Sequence, residues 1–495
     1  MDEQSEGLDP PEYHVAAAQG MSWTLVHRVV QQVAALAWLL LIPRILGPDH
    51  FGVYAFATAL VLMSSAILNL GISASFGRWF AALIENDLLE RAEMLATGGA
   101  VLRIALGLVA AIAVGLIMQL FSPLPVSGLV YLMTAIMVFL HFSTTGGTQA
   151  CYGAGGMNAA LAPVSIRAIL VPALVVPAYH AWRLEGAFVG TAAAHLVATG
   201  TGLWWAREFF VSPFAGDIDW RWIWSKLRYG TAEWLSIAMQ GGARRAATIL
   251  LAVGEVPSAG IALFSVANRV QVAYTDALST LARNLTPYLS RLHEAAEKRR
   301  IIRWTEMMSR YCAWLQGLLI VFLAFFGNWF FVTVVGPEYA DVKPLALIIA
   351  FAVLPLSLIT LWQSVGAAMG KPVIGLIGMG TQNVVFLAVF FGFSARWDSL
   401  GAAVAIPAAS IPAAIVAWIA VYKTLQIRLP VLRMLGTLAL ALAPCLFLLS
   451  GPAVVENPIS GIGAMLLCVG LPVITGLLPI SEFAEIWRAI RHKQS

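Results

Sequence analysis

Residues 42–73 read IPRILGPDHFGVYAFATALVLMSSAILNLGIS, and this stretch decides the fold. It has the pattern of a long apolar helix that ends, a short polar turn, and a second apolar helix. Gly47 tolerates a left-handed backbone and Pro48 cannot continue the helical hydrogen-bond ladder, so the pair predicts a helix stop. Gly52 allows two helices to approach closely, and Tyr54 suits a membrane–water boundary.

The same phrase returns as VGEVPSAGIALFSVANRV, residues 253–270. Gly47, Gly52 and Phe56 correspond to Gly254, Gly260 and Phe264. Two further pairs of phrases agree, since QACYGAGGMN is echoed by QSVGAAMGKP and GAFV at 186–189 by GAAV at 401–404. Nearly constant offsets between repeated phrases predict two tandem halves followed by an extension.

The composition is that of a polytopic membrane protein. Hydrophobic residues make up 60% of the chain and charged residues 11%, with a mean hydropathy of +0.81. Soluble proteins carry about 25% charged residues. The four cysteines stand singly in apolar surroundings, which disfavours disulfides and cysteine-based metal sites.

Fourteen apolar stretches have the length that a bilayer requires. They run over about 22–43, 54–76, 99–121, 126–148, 159–180, 186–206, 230–252, 258–281, 311–334, 344–368, 372–393, 399–422, 431–450 and 459–479. The predicted fold is therefore all-α, with two six-helix lobes related by a pseudo-two-fold repeat and two added helices. The predicted domains are a disordered cytoplasmic tail (1–18), an N-lobe (19–206), an amphipathic linker (207–229), a C-lobe (230–425), two added helices (426–480) and an amphipathic tail (481–495).

Lysine and arginine residues concentrate on one set of alternate loops. Arg103 and Arg167 are counted with these basic loops, and the opposite loops carry Arg44, Arg183, Lys343 and Arg396. Because basic residues favour the cytoplasmic side, both termini are predicted to face the cytoplasm. Three basic cytoplasmic stretches are amphipathic: Trp220–Leu227, with a stripe of Trp220, Ile223, Trp224 and Leu227, the segment 291–310, and the tail stripe of Phe483, Ile486, Trp487 and Ile490. They are interpreted as helices lying on anionic lipid, with a hinge or regulatory role as the alternative.

Charged residues inside apolar spans mark candidate functional positions, because each costs about 2.5–3.5 kcal/mol at mid-bilayer. Spans one, two, seven and eight are the equivalent pairs of the two halves, and a two-fold arrangement would bring them face to face. The predicted cavity residues are Arg28, Gln32, Asn69, Arg244, Arg245 and Arg269, and the coupling candidates are Glu233 and Asp276. Guanidinium groups suit phosphate oxygens, so an anionic head group is the predicted ligand.

Alternatives remain at several of these positions. Arg244 and Arg245 cannot share a helix face, so one could pair with Glu233 or extend to the membrane surface. His141 and His195 stand alone in the sequence and are interpreted as buried hydrogen-bonding residues rather than proton carriers. Trp234, Tyr274 and Trp362 are interpreted as part of the interfacial aromatic belt, with stacking on sugars as the alternative.

Other chemistries lack their motifs. The sequence contains no GxxxxGK[ST], no HExxH or CxxC, and no nucleophile elbow, and its outer loops are short. The chain is therefore predicted not to be an enzyme and to use no metal and no cofactor. No nucleic-acid partner is predicted.

The stretch LIPRILGPDHFGVYAFATAL followed by LNLGISASFGRW resembles the opening of the Wzx-type O-antigen and exopolysaccharide flippases. These belong to the multidrug/oligosaccharidyl-lipid/polysaccharide exporter superfamily. The likeness continues in FVTVVGPEYADVKPLALIIA, AMGKPVIGLIGMGTQNVV and SLGAAVAIPAAS. It departs in span seven, where many relatives have an acidic residue before the arginine and this chain has Ala243 before Arg244.

The resemblance implies a bacterial inner-membrane carrier, two lobes around a V-shaped cavity, and alternating access. Its implied substrate is an oligosaccharide linked to undecaprenyl pyrophosphate, turned from the cytoplasmic to the outer leaflet. Implied partners are membrane lipids, H⁺ or Na⁺ as coupling ion, and a polysaccharide polymerase or export complex, with the carrier itself a monomer. Rival interpretations are a lipid II-type flippase, a multidrug or cation antiporter, and a membrane glycosyltransferase or polymerase.

Overall fold

The computed structural model describes residues 10–154, 156–211, 218–227, 230, 234–235, 238–239, 242–371, 373–427, 430–450 and 458–479. Over these ranges the regular structure is entirely helical. The chain divides into two compact units, Met1–Ala238 and Met239–Ser495.

The first unit contains α1 (Pro10–Ile67), α2 (Ile72–Glu85), α3 (Leu89–Phe121), α4 (Gly128–Gly153), α5 (Met157–Ala206) and α6 (Trp220–Leu227). Two of these helices are kinked. Gly47 leaves helical geometry with φ 69° and ψ 168°, so the helix stop predicted at Gly47-Pro48 is confirmed. α5 turns at Trp182 and Arg183 in the same way. α1 and α5 therefore each contain two apolar spans.

The second unit contains α7 (Gly242–Val253), α8 (Ser258–Glu294), α9 (Lys298–Phe330), α10 (Val342–Ala350), α11 (Val353–Ala368), α12 (Val373–Leu425), α13 (Val431–Leu442) and α14 (Pro458–Ile474). A π-helical turn, Phe331–Val335, follows α9. α12 is kinked at Asp398, and α13 continues as a 3-10 turn over Ala443–Ser450.

Eight of the described helices are long and apolar enough to cross a membrane, and two shorter apolar helices follow near the C-terminus. Two of the eight, Ser22–Ile67 and Met157–Phe209, are each kinked into two spans. About 14 helices are compatible with the described chain. The predicted class, an all-α polytopic membrane protein, is confirmed. The side on which each terminus lies stays a prediction.

The helix boundaries correct three predicted segments. α1 begins at Pro10, so part of the tail predicted to be disordered over 1–18 is helical. The second span, predicted as continuous over 54–76, is interrupted by a turn at residues 68–71. The span predicted over 344–368 is interrupted at Phe351 and Ala352, between α10 and α11. The amphipathic tail 481–495 lies outside the described residues.

The amphipathic helix predicted at Trp220–Leu227 is present, but its apolar stripe does not face one surface. Ile223 and Leu227 are buried in a cluster with residues of α2 and α3, including Phe76. Trp220 and Trp224 are exposed. The helix therefore packs against protein on one side and exposes two indole rings on the other.

The basic segment 291–310 also packs against protein. Ile301, Trp304 and Met307 are buried in the main apolar cluster of the second unit, while Arg300 stays exposed and pairs with Glu297 at 2.9 Å. All four cysteines are free thiols; Cys151, Cys312 and Cys468 are buried and Cys445 is half-buried.

Candidate functional site

The polar residues of the first span lie on two different surfaces. Arg28 and Gln32 are exposed on the surface of the first unit. His27, in contrast, is 8% exposed and lies against α5. Adjacent positions on a helix point in different directions, so the buried His27 and the exposed Arg28 serve different surfaces.

His27 belongs to a chain of hydrogen bonds between α1 and α5. Its Nε2 lies 3.0 Å from Asn158 Oδ1 and its Nδ1 lies 2.9 Å from Ser165 Oγ. Gln31 Nε2 donates to the same Ser165 hydroxyl at 3.3 Å. One consistent arrangement has Gln31 donating to Ser165, Ser165 to His27, and His27 to Asn158, with a neutral imidazole. This chain joins two membrane-spanning helices without placing a charge in hydrocarbon.

The interrupted second span contains irregular backbone. Leu70 and Gly71 adopt positive φ values of 49° and 81°. α2 then begins at Ile72. Non-helical backbone at membrane depth is tolerated where protein surrounds it or where it lines a water-filled cavity. Transporters use such interrupted helices to place polar groups at binding sites.

Arg103 of α3 binds directly at this interruption. Its Nη2 donates to Asn69 Oδ1 at 2.9 Å and its Nη1 donates to Thr145 Oγ1 at 2.7 Å. The arginine is 3% exposed. Asn69 is thus one of the predicted site residues, but its partner is a buried arginine that the sequence pattern had assigned to a cytoplasmic loop. Arg103 therefore ties the interruption to α3 and α4.

The segment after α6 covers the other side of the interruption. Trp234 Nε1 donates to the backbone oxygens of Ala66 and Ile67, both at 3.0 Å, and so satisfies carbonyls at the end of α1. Gly230 packs so closely that a Cβ there would lie 2.0 Å from the Gly71 oxygen. The indole of Trp234 therefore caps the end of α1.

His141 and His195 do not stand alone, as the sequence interpretation had them. Their ring centroids lie 5.8 Å apart, on α4 and α5 respectively. Arg167 Nη1 lies 2.7 Å from His141 Nδ1. An arginine always donates, so His141 accepts at Nδ1 and carries its proton on Nε2. These three residues form a basic cluster near the middle of their helices.

In the second unit, the structure brings together two of the predicted residues. Arg245 on α7 is half-buried, and the exposed Asp276 on α8 lies close enough to act on its charge. Arg269, also on α8, is half-buried. Arg244 lies on α7, but its side chain and all of Glu233 are outside the described residues. Asp276 and Arg245 therefore interact electrostatically across this helix pair.

Sequence reasoning missed the polar residues Arg103, Arg167, Asn158 and Ser165. Arg103 and Arg167 fall inside apolar spans, and that position was the available signal. Within the described ranges, no group of three or more His, Cys, Asp or Glu side chains could hold a metal ion.

No protein-family model matches the sequence, and the sequence matches no curated protein. Solved structures share its fold. The lipid II flippase MurJ, in an inward closed conformation, is 11% identical, with a TM-score of 0.71 over 92% of this chain and 97% of that chain.

Multidrug transporters share the fold as well. An inward-facing multidrug resistance MATE family transporter of the MOP superfamily is 15% identical, with a TM-score of 0.67 over 80% of this chain and 94% of that chain. A mutant of the Vibrio cholerae MATE transporter VcmN is 17% identical, with a TM-score of 0.51 over 80% of this chain and 98% of that chain. At such identities the likeness is one of fold.

Proposed function

We propose that this chain is a flippase that moves a polyprenyl-pyrophosphate-linked oligosaccharide from the cytoplasmic to the outer leaflet by alternating access. Such a carrier would work in the bacterial inner membrane, as a monomer, and would supply a polysaccharide polymerase or export complex. A carrier is needed because sugar hydroxyls lose their hydrogen bonds to water in hydrocarbon.

The observation that carries the proposal is a set of arginines on helices that the sequence predicts to cross the membrane. Arg245 and Arg269 are half-buried on α7 and α8, and Arg28 is on α1. Cationic side chains at membrane depth are costly and mark substrate or ion pathways. Planar guanidinium groups recognise phosphate oxygens with two parallel hydrogen bonds, which suits a pyrophosphate.

The fold supports the same choice. The alignment with the lipid II flippase covers 92% of this chain, whereas the alignments with the two MATE transporters cover 80%. The likeness to a protein that carries a lipid-linked substrate thus extends over more of the sequence, which favours a lipid-linked substrate here.

In the proposed mechanism, arginines bind the pyrophosphate and carboxylates couple transport to an ion gradient. The proposed substrate-binding residues are Arg28, Gln32, Asn69, Arg244, Arg245 and Arg269. Asp276 and Glu233 are the proposed coupling residues, with H⁺ or Na⁺ as the ion. Because Asp276 acts on the charge of Arg245, protonation or cation binding at Asp276 would change how strongly Arg245 attracts an anion.

The test is complementation of a deletion strain. Deletion should trap lipid-linked oligosaccharide on the cytoplasmic leaflet, and the wild-type gene should restore export. Arg245→Ala and Arg269→Ala should each reduce export at least about tenfold at unchanged protein level, because each removes charge-assisted hydrogen bonds to phosphate.

Arg300→Ala is the matched control, since Arg300 is an exposed arginine of the same unit whose recorded partner is Glu297. It should export normally. Normal export by both Arg245→Ala and Arg269→Ala would contradict the assignment of these arginines to the substrate. Normal export in the deletion strain would contradict the flippase function.

A multidrug or cation antiporter is the second candidate, favoured by the shared fold with MATE transporters. It predicts that deletion changes drug sensitivity and leaves lipid-linked oligosaccharide unaffected. A lipid II-type flippase would instead restore growth to cells depleted of their own lipid II flippase.

A further inference from the structure

The basic cluster of Arg167, His141 and His195 lies inside the first unit, apart from the residues assigned above to the substrate. Arg167 and His195 stand on the two halves of α5, and His141 stands on α4. Each lies close to the middle of an apolar helix, where water is scarce. A cluster there needs a physical reason, because ionisable residues inside a membrane are rare and functional.

Arg167 has more hydrogen-bond donors than the described residues around it have acceptors for it. A guanidinium has five N–H donors. Among the described residues its one hydrogen-bond partner is His141 Nδ1, at 2.7 Å, and no described carboxylate forms an ion pair with it. The residue is half-buried, so it remains reachable from outside the unit. A positive charge held in this way lacks a counter-ion within the described chain.

His195 supplies the second observation. It is 6% exposed, and within the described residues its Nδ1 has no hydrogen-bond partner. The ring lies 5.8 Å from that of His141. A buried ring nitrogen without a partner has lost the hydrogen bond that water would give it, so a ligand that accepts from it would be bound favourably.

We propose that Arg167 and His195 bind a small anion within the first unit, with His141 as a positioning residue. His141 accepts a hydrogen bond from Arg167 at its Nδ1, and this contact fixes both the orientation of the guanidinium and the tautomer of His141. The anion would accept from the remaining Arg167 donors and from His195 Nδ1–H. Phosphate oxygens of a lipid head group and a free inorganic anion offer the same chemistry, and the experiment distinguishes them.

The test measures binding without transport, so its failure is distinct from failure of the flippase proposal. The full-length protein in lipid nanodiscs receives three probes: sodium chloride against sodium gluconate at equal ionic strength, inorganic pyrophosphate, and nanodiscs with polyprenyl pyrophosphate against polyprenol. The thermal unfolding midpoint, followed by tryptophan fluorescence, should rise with the anion that binds the folded state.

Arg167→Gln should weaken that response at least about tenfold in anion concentration, because it removes a charge-assisted contact. Arg183→Gln is the matched control, since Arg183 is an exposed arginine at the kink of the same helix. It should respond as wild type. A response to chloride or inorganic pyrophosphate identifies a free anion, and a response confined to polyprenyl pyrophosphate identifies the lipid head group.

His195→Phe keeps the proposal testable if Arg167→Gln does not fold. Phenylalanine fills a similar volume and removes the nitrogen without a partner, so the anion-free protein should be at least as stable as wild type. Its response to the anion should be weakened. A wild type that answers none of the three probes, or an unaltered response in both variants, would overturn the proposal.

Discussion

Each unit has an interrupted span among its described residues, and the two interruptions are stabilised in different ways. In the first unit, the turn at residues 68–71 is bound by the charged side chain of Arg103 through Asn69. In the second, the interruption at Phe351 and Ala352 is bound by a neutral amide, since Gln316 Oε1 accepts from the backbone N–H of Leu354 at 2.6 Å. A charged side chain thus binds the first interruption, and a neutral side chain caps the helix that follows the second.

The repeat sharpens the comparison. At the spacing that relates Gly52 to Gly260, Gly71 corresponds to Ser279. α8 continues through that position as an unbroken helix from Ser258 to Glu294. Repeated glycine and aromatic residues therefore preserve the helix order, while the polar sites have diverged between the halves.

The largest effect is expected from Arg103→Ala. The change removes two charge-assisted hydrogen bonds and leaves Asn69 Oδ1 without that donor, so the first unit should lose about 2–4 kcal/mol of stability. Thermal unfolding in detergent measures it. Arg91→Ala, at an exposed position of the same helix, is the control and should change stability by less than about 0.5 kcal/mol. An equal effect in both variants would show that Arg103 does not stabilise the interruption.

Gly71→Ala should have the next largest effect. Its φ of 81° lies in the left-handed region, where a Cβ costs about 1–2 kcal/mol. The reciprocal change Ser279→Gly should cost about 1 kcal/mol through helix propensity. Unfolding midpoints and limited proteolysis check both. New cleavage near residue 279 in Ser279→Gly would mean that glycine alone creates the interruption, which contradicts the role given to Arg103.

The smallest effect is expected from Gln316→Ala, at about 1 kcal/mol, because one neutral hydrogen bond to a helix N-terminus is lost. Asn328→Ala, at an exposed position of the same helix, is the matched control and should change stability by less than about 0.5 kcal/mol. Thermal unfolding again gives the measurement. A loss from Gln316→Ala as large as that from Arg103→Ala would remove the distinction between a charged and a neutral stabilisation.

Much of the fold could be predicted from the sequence, because membrane spans and helix stops depend on residues that are close together in the chain. Gly47 and Pro48 marked the kink in α1 without any knowledge of its neighbours. The interruption at residues 68–71 was missed, although Asn69 and Gly71 stand there, because the surrounding residues are as apolar as a continuous span.

The candidate site was harder to predict, since it depends on contacts between distant helices. His141 and His195 are far apart in sequence and meet because α4 packs against α5. Arg103 and Arg167 were assigned to loops because the charge pattern does not report depth. The sequence alone did not show that His27 is buried while the adjacent Arg28 is exposed.

The cysteines have a practical consequence for chemical labelling. Cys151, Cys312 and Cys468 are buried free thiols, so a membrane-impermeant maleimide should meet little native background beyond the half-buried Cys445. Replacing that one residue by serine would give a nearly silent background for single-cysteine reporters. Lys298 begins α9, and Ala340 follows the 3-10 turn Pro337–Tyr339 that comes after the π-helical turn. Both positions are exposed, so cysteine reporters there would show the side of the membrane on which each lies.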